Sequence, residues 1–340
     1  MNRQPTISDV ARMAGVSVAT ASRALNGTRR VNLKLRGRVL TAADRLGYAP
    51  NPHARALAQA RDASIGVVVH DVSDPYFSEI VRGMLSAASQ HERMILICHT
   101  SRDPGRELSY VAHFRAQRTE ALVLAGSGLE DRDFGARMAG EVLSFESAGG
   151  RVAFIGRHYA PGDAVIPDNV GGARTLARHL VELGHRRIGV ISGPGHLTTT
   201  HDRLMGFQMG LKEVGVELQP ELMTAGDFTR DGGARGALEL LRRDPELTAI
   251  WALNDVMAVG ALAALRAAGV DVPGHVTLCG FDDVPLATDV HPALTTVRVP
   301  MAEMGARALD LALQPRESDI RTEHMPTELV IRGTSGPPRR

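Results

Sequence analysis

The spacing of apolar positions changes at about residue 63. Ahead of it, Ile7, Val10, Ala11 and Ala14 recur at helical intervals behind polar Thr6, and Gly15 ends the run. Glycine there suits a tight turn that needs a positive φ. Ser17 can cap a second predicted helix, Val18 to Leu25, which stops at Asn26-Gly27. A third is predicted from about Leu33 to Leu46, between Asn32 and Gly47. Two short helices across a glycine turn, backed by a third, predict a helix-turn-helix. Next comes an Ala-rich stretch, Asn51-Pro52 to Arg61, with proline at the first helical position. At about ten residues it is too short to be stable alone in water, so it is expected to fold only when something holds it.

From Ser64 the pattern becomes short apolar runs alternating with helical stretches. Ile65–Val69, Met94–Cys98, Ala121–Ala125 and Arg151–Ile155 are predicted strands, with helices near 77–90 and 106–117. A second series starts with a helix at 169–183. It continues through Ile188–Ile191, helix 202–214, a strand near 222–225, helix 231–243, Ala249–Leu253, helix 256–268 and Val276–Gly280. This alternation predicts the α/β class, with parallel sheets covered by helices. Two series imply two doubly wound lobes. Ligands of open α/β sheets sit at the carboxyl ends of strands, which places a site in the cleft between lobes.

Composition adds constraints. The chain has 340 residues, 44% hydrophobic and 23% charged, which excludes a disordered or fibrous protein. No run approaches 18 apolar residues and the polar start has no signal-peptide core, so neither a membrane span nor secretion is expected. Cys98 and Cys279 make no disulfide framework and suit a reducing cytoplasm. The net charge of +1 conceals a split: residues 1–62 carry eleven Arg/Lys against three acids, a surplus of +8, which leaves the remainder at −7. A basic head on an acidic body is the footprint of a nucleic-acid reader with a second task. Enzyme motifs fail. Gly126-Ser-Gly128 and Gly193-Pro-Gly195 lack the third glycine of a dinucleotide fingerprint, and there is no P-loop, nucleophile elbow or zinc-type histidine spacing. No catalytic set, cofactor or metal site is therefore expected.

The residues resemble the LacI/GalR family of bacterial transcription repressors. The similarity runs through Thr6-Ile-Ser-Asp-Val-Ala-Arg-Met-Ala-Gly-Val-Ser-Val-Ala-Thr-Ala-Ser-Arg-Ala-Leu-Asn26, Leu46-Gly-Tyr-Ala-Pro-Asn51 and Ala54-Arg-Ala-Leu57. It continues in Asp74-Pro-Tyr-Phe77, Asp168-Asn169, Leu183-Gly-His185, Arg203-Leu-Met-Gly-Phe207, Asn254-Asp255, Gly280-Phe-Asp-Asp283 and Pro292-Ala-Leu-Thr-Thr296. Each motif is weak alone; their order and spacing are specific. The resemblance implies a helix-turn-helix head at 1–50, a hinge helix and linker at 51–62, and a periplasmic-binding-protein-like body at 63–332. Lobe one is expected at about 63–164 and 295–323, lobe two at about 165–292 and 324–332, and a flexible tail at 333–340. The tail has no leucine heptads, which argues against an added tetramer helix.

Geometry turns Ala21 and Leu25 inward with Val10 and Ala14, so Val18, Ala19, Ser22 and Arg23 face outward to enter a major groove. Arg23 can fork onto guanine O6 and N7, whereas Val18 and Ala19 offer only apolar contacts, for instance with thymine methyls. The family resemblance implies phosphate contacts at Ser17, Thr20, Asn26, Asn32, Tyr48 and Asn51, which position rather than specify. It also implies hinge helices in the minor groove around Ala54, with Leu57 wedged at a central pyrimidine–purine step. Galactose-repressor-like members share the Val18-Ala19 pair, which points to a palindromic operator with a central CG step. Two half-sites require a homodimer.

For the effector, the resemblance implies a sugar or sugar derivative in the cleft. Asp168, Arg203, Asn254 and Asp282 would meet its hydroxyls, Tyr76, Phe77 and Phe228 would form apolar walls, and Thr199 would contribute from the loop before Arg203. Arg203 with Asp282 is the leading pair, because a cleft arginine needs a carboxylate partner. Asp255 is read first as a helix cap. Induction is the commoner family behaviour; co-repression and a purine effector stay open. A sugar-binding protein without a regulatory role is disfavoured by the basic head.

Overall fold

The computed structural model describes residues 5–25, 32–48, 62–315 and 319–339. The chain divides at Asp62/Ala63 into a small N-terminal unit and a large body. The hinge positions Asn51, Ala54 and Leu57, and Asn26, lie outside the described residues.

In the head, α1 spans Ile7–Ala14, α2 Val18–Leu25 and α3 Leu33–Leu46. The Asp9 carboxylate accepts from the Thr6 backbone N–H at 2.9 Å and the Thr6 hydroxyl at 2.6 Å, which fixes the start of α1. Gly15 ends it at φ 62°, with a Val16 N–H to Ala11 carbonyl bond at 3.0 Å. Val10, Ala11, Ala14, Ala21, Ala24, Val39, Ala42 and Ala43 form the core. Most of these are alanines, so the three helices approach closely on little buried area.

The body begins with β1 (Asp62–Val69), α4 (Pro75–Gln90), β2 (Met94–His99), α5 (Pro104–Gln117) and β3 (Thr119–Ala125). It goes on through α6 (Arg132–Ser147), β4 (Arg151–Ile155) and β5 (Asp163–Pro167). These strands build the lobe-one sheet. The chain then enters lobe two with α7 (Asn169–Glu182), β6 (Ile188–Ser192), α8 (Thr198–Glu213), β7 (Met223–Ala225), α9 (Arg230–Arg243), β8 (Ala249–Ala252), α10 (Asp255–Ala267) and β9 (Thr277–Cys279). A short α11 (Leu286–Asp289), β10 (Thr296–Arg298), α12 (Met301–Leu313), β11 (Thr322–Met325) and β12 (Glu328–Val330) complete the body, across both lobes. The lobe-one order is β11-β5-β4-β3-β1-β2 and the lobe-two order β7-β6-β8-β9. Strand alternation feeds both faces of the first sheet. Ile65, Val67 and Val69 pack with Ile80 and Met84, whereas Val68, Leu122 and Leu124 pack with Phe114, Met138 and Phe145.

The structure moves several expected boundaries. Asp163–Pro167 is a lobe-one strand beside β4, so the first run of lobe one ends after residue 164, at the end of β5. β11 pairs in parallel with β5, which keeps His324 and Met325 in lobe one. Thr295–Arg298 stays with lobe two instead of returning: Thr295 bridges to Cys279, Arg298 to Asp282, and β10 pairs antiparallel with β12. The return to lobe one begins with α12, against α4 and strands β3 to β5, and continues in β11. The tail is not free. Thr334 is fully buried, its carbonyl accepts from Leu278 N–H at 2.9 Å, and the Gly336 carbonyl meets His185 Nε2 at 2.9 Å and the Thr277 hydroxyl at 2.9 Å. Those strand-edge bonds need no apolar pattern, which is why composition suggested a loose end. Helix α6 was not expected. Its apolar positions Phe134, Met138, Val142 and Phe145 are helically spaced but interrupted by Gly135 and Gly140.

Candidate functional site

On the head, Ser17, Val18, Ala19 and Arg23 are exposed, Thr20 and Ser22 half-buried, and Ala21 fully buried. One face of α2 therefore stands outward as its spacing required. The Ser17 hydroxyl accepts from Thr20 N–H at 3.1 Å, so it caps α2, and Arg23 Nε donates to the Ala19 carbonyl at 3.1 Å. Asn32 accepts from Lys34 N–H at 2.9 Å as the cap of α3, and Tyr48 packs half-buried against the head core.

In the body, the carboxyl ends of both sheets face a cleft between the lobes. It is lined by Tyr76, Phe77, Thr199, Arg203, Phe228, Asn254 and Asp282, seven of the eight residues expected there. Asp168 is not among them. It is exposed, caps α7 by accepting from Gly171 N–H at 2.8 Å, and lines a separate pocket with Glu130, Arg157 and His324. Its neighbour Asn169 turns inward instead.

Arg203 organises the lobe-two wall. It is 3% exposed. Its guanidinium donates to Asp282 Oδ1 at 2.6 Å, Asn169 Oδ1 at 2.9 Å and the Leu253 carbonyl at 2.5 Å, and lies 3.8 Å from the Phe281 ring centre. Asp282 sits at φ 117° on the loop after β9. Burial pushes its carboxyl up, against the pull of Arg203. Asn254 lines the cleft while its side-chain oxygen caps α10 through Met257 N–H at 2.9 Å. Asp255 is structural: its carboxylate accepts from Thr296 Oγ1 at 2.6 Å and Val284 N–H at 3.0 Å. Phe228, at φ 62°, lays its ring where a side chain on Gly193 would collide at 2.3 Å. Gly126 likewise leaves room for the His70 ring. These two glycines make space for rings, not phosphates.

The lobe-one wall adds His70, Asp74, Arg102 and Ser127, which sequence reasoning missed. Asp74 caps α4 by accepting from Tyr76 N–H at 3.0 Å. Burial, reinforced by Arg102, holds the His70 imidazole down at about 3, so it is neutral near pH 7. Of these, only Asp74 carried a signal, the polar residue before a helix-starting proline. Beside the cleft the lobes meet along a seam. Leu129 bridges to Leu197, Thr198 N–H donates to the Gly128 carbonyl at 2.9 Å, and the Ser127 hydroxyl donates to Thr199 Oγ1 at 2.7 Å. Arg157 of lobe one forks onto Asp202 of lobe two at 3.1 and 2.8 Å.

A basic helical head carried by a two-lobed, cleft-bearing body can be compared with known proteins. Residues 6–51 match the bacterial regulatory proteins of the lacI family, and residues 177–335 a periplasmic binding protein-like domain. The HTH-type transcriptional regulator GalS of Salmonella typhimurium is 40% identical over 332 residues, 95% of this chain and 94% of that protein. The chain belongs to the LacI family. GalR of Escherichia coli is 38% identical over 91% of this chain and 88% of its own length. Among solved structures, the lac repressor dimer bound to operator and an anti-inducer superposes at a TM-score of 0.82, with 26% identity, covering 98% of this chain and 99% of that one. A complex of the regulator CelR with cellobiose matches at 0.72, with 30% identity, covering 97% and 100%.

This LacI-family chain is therefore a DNA-binding transcription regulator and not an enzyme. One row of side chains at the ends of β1 and β2 imitates a catalytic triad. The Ser101 hydroxyl lies 2.7 Å from His99 Nε2, with Asp71 3.9 Å from Nδ1. Val72 N–H donates to Nδ1 at 3.3 Å, so the ring proton sits on Nε2 and points at the serine. That tautomer cannot take the serine proton. Among the described residues no cluster of metal-ligating side chains occurs, and no helix is long and apolar enough to cross a membrane.

Proposed function

We propose that the protein is a cytoplasmic, homodimeric repressor of carbohydrate-metabolism genes, released from a palindromic operator by a sugar-like effector in the interlobe cleft. The observation that carries the effector reading is the lobe-two wall: a buried arginine held by Asp282 and Asn169, beside the Asn254 amide and the Phe228 ring. That set supplies donors and acceptors for hydroxyls and an aromatic face for a sugar's C–H side. The cellobiose complex of a relative supports a sugar, and the operator-bound lac repressor dimer supports two heads on one site. On the head, Val18, Ala19, Ser22 and Arg23 read bases, while Ser17, Thr20, Asn26, Asn32, Tyr48 and Asn51 position the phosphates. Ala54 and Leu57 enter the minor groove at a central CG step.

Because the cleft and the Ser127–Thr199 seam share both lobes, a ligand there changes the lobe angle and, through it, the spacing of two heads. The effector must bind the two states with different affinity. Fluorescence anisotropy on DNA from upstream of its own gene, with and without a panel of sugars, tests this. Expected is salt-sensitive, sequence-selective binding that one sugar weakens. Failure to select any sequence from random DNA would overturn the regulator's operator model, and strengthening by the sugar would reverse the sign to co-repression. Arg23→Ala should cost about 1–3 kcal/mol of preference for the selected site, with nonspecific affinity reduced far less.

A further inference from the structure

The two arginines of the cleft differ in how their donors are used. Arg203 makes three hydrogen bonds, to Asp282, Asn169 and the Leu253 carbonyl. The Arg102 guanidinium makes none with a described residue. Its ion-pair partner is Asp74, whose Oδ2 stands 3.7 Å away, beyond hydrogen-bond reach, and its other contact is the face of Phe228, 5.8 Å to the ring centre. The Arg102 side chain is 20% exposed and lines the cleft. A guanidinium has five N–H donors in a fixed fork, and here they stand open to the cleft.

The backbone holds this arginine in place at some cost. Ser101 and Arg102 follow β2 in the left-handed region, at φ 55° and 59°, an unusual pair for residues other than glycine. The turn is pinned by Ser101 N–H to the His70 carbonyl at 2.9 Å and Arg102 N–H to Thr100 Oγ1 at 3.1 Å. Across the cleft, Phe228 of lobe two is held in the same region at φ 62°. Asp74 has one oxygen committed to the cap of α4, and the other faces Arg102.

Each wall arginine also faces a carboxylate, Arg102 against Asp74 and Arg203 against Asp282. A phosphate or carboxylate reaching either arginine would lie beside that carboxylate, a like-charge contact that an uncharged ligand avoids. We infer that Arg102 is the effector-reading side chain of lobe one, which with Asp74 clamps neighbouring hydroxyls of an uncharged polyhydroxy ring lying against Phe228. The inference rests on the cleft being the effector site. Arg102 donates to one ligand oxygen and Asp74 accepts from the adjacent hydroxyl, both from lobe one, while Phe228 backs the ring from lobe two.

The test is isothermal titration calorimetry on the full chain with neutral pentoses and hexoses, their phosphates and uronic acids, and a purine nucleoside. Wild type, Arg102→Met, Arg102→Lys and Arg203→Met are compared, each first checked for folding by circular dichroism. A neutral sugar should bind wild type, and Arg102→Met should weaken it about ten- to hundredfold. Arg102→Lys, which keeps the charge but loses the fork, should fall between. Removing the contacted hydroxyl from the sugar should weaken wild type by about tenfold or more and leave Arg102→Met indifferent, a coupling that a structural role would not produce. If Arg203→Met loses binding while both Arg102 variants keep it, the inference fails and the cleft reading stands. If no compound binds, or neither arginine matters, both fail. Preference for the phosphate, the uronic acid or the nucleoside overturns the uncharged polyhydroxy ring.

Discussion

On the lobe-two wall Arg203 is locked to Asp282, Asn169 and a backbone carbonyl, whereas on the lobe-one wall Arg102 rests near Asp74 and over Phe228 with its donors uncommitted. Each wall has one arginine and one carboxylate. The difference is burial of the arginine: Arg203 is almost fully enclosed, so the protein had to satisfy it itself, while Arg102, beside a similarly enclosed carboxylate, opens towards the cleft. On the proposed reading, one wall is set before a ligand arrives and the other would be finished by it.

The largest effect should come from breaking the preset wall. Arg203→Met leaves Asp282 buried without its cation and two acceptors unmatched, which should cost about 3–5 kcal/mol in urea denaturation. Arg102→Met should cost under about 1 kcal/mol in the same assay, because the ion pair is long and its arginine is part-exposed. Equal costs would erase the contrast between the walls.

Acid should act mainly on the lobe-one side. The folded protein keeps His70 neutral down to about pH 3, whereas the unfolded chain takes up its proton near 6.5. Stability from this group is therefore present above pH 6.5 and is lost as pH falls towards 3. His158, held down to about 4 by burial, adds to the same trend. His70→Gln should reduce the loss of unfolding free energy between pH 6.5 and 5 by about 1.5 kcal/mol. An unchanged acid slope would mean that His70 is already charged when folded.

The smallest effect sharpens the boundary of the site. Asp168→Ala removes the cap of α7 and should cost about 1 kcal/mol by urea denaturation without changing effector affinity. A loss of affinity would return Asp168 to the binding set.

Periodicity was sufficient for the recognition helix, because an α-helix of eight residues with a buried alanine at position 21 has only one outward face. It was sufficient for most strands of the body, whose apolar runs are continuous. It missed α6, where two glycines interrupt the stripe, and β5, whose Asp163-Ala-Val-Ile-Pro167 is too short to stand out. In the cleft, seven residues were legible through family motifs. His70 and Arg102 were not: they lie just past strand ends, where a turn rather than a pattern decides direction. Asp168 and Asn169 show the limit of a motif. Adjacent side chains on a helix start point apart, and only one of them met Arg203.

By itself the sequence determined the basic helix-turn-helix head, the alternating α/β body and the chemistry available to the cleft, because these follow from local periodicity, capping and charge. Tertiary structure decided which carboxylate Arg203 would hold, that Arg102 would keep its donors open, and that residues 333–339 would be pinned to lobe two. Those outcomes depend on burial between segments far apart in the chain, and burial is what decides whether a charge must find its partner inside the protein or can leave it to a ligand.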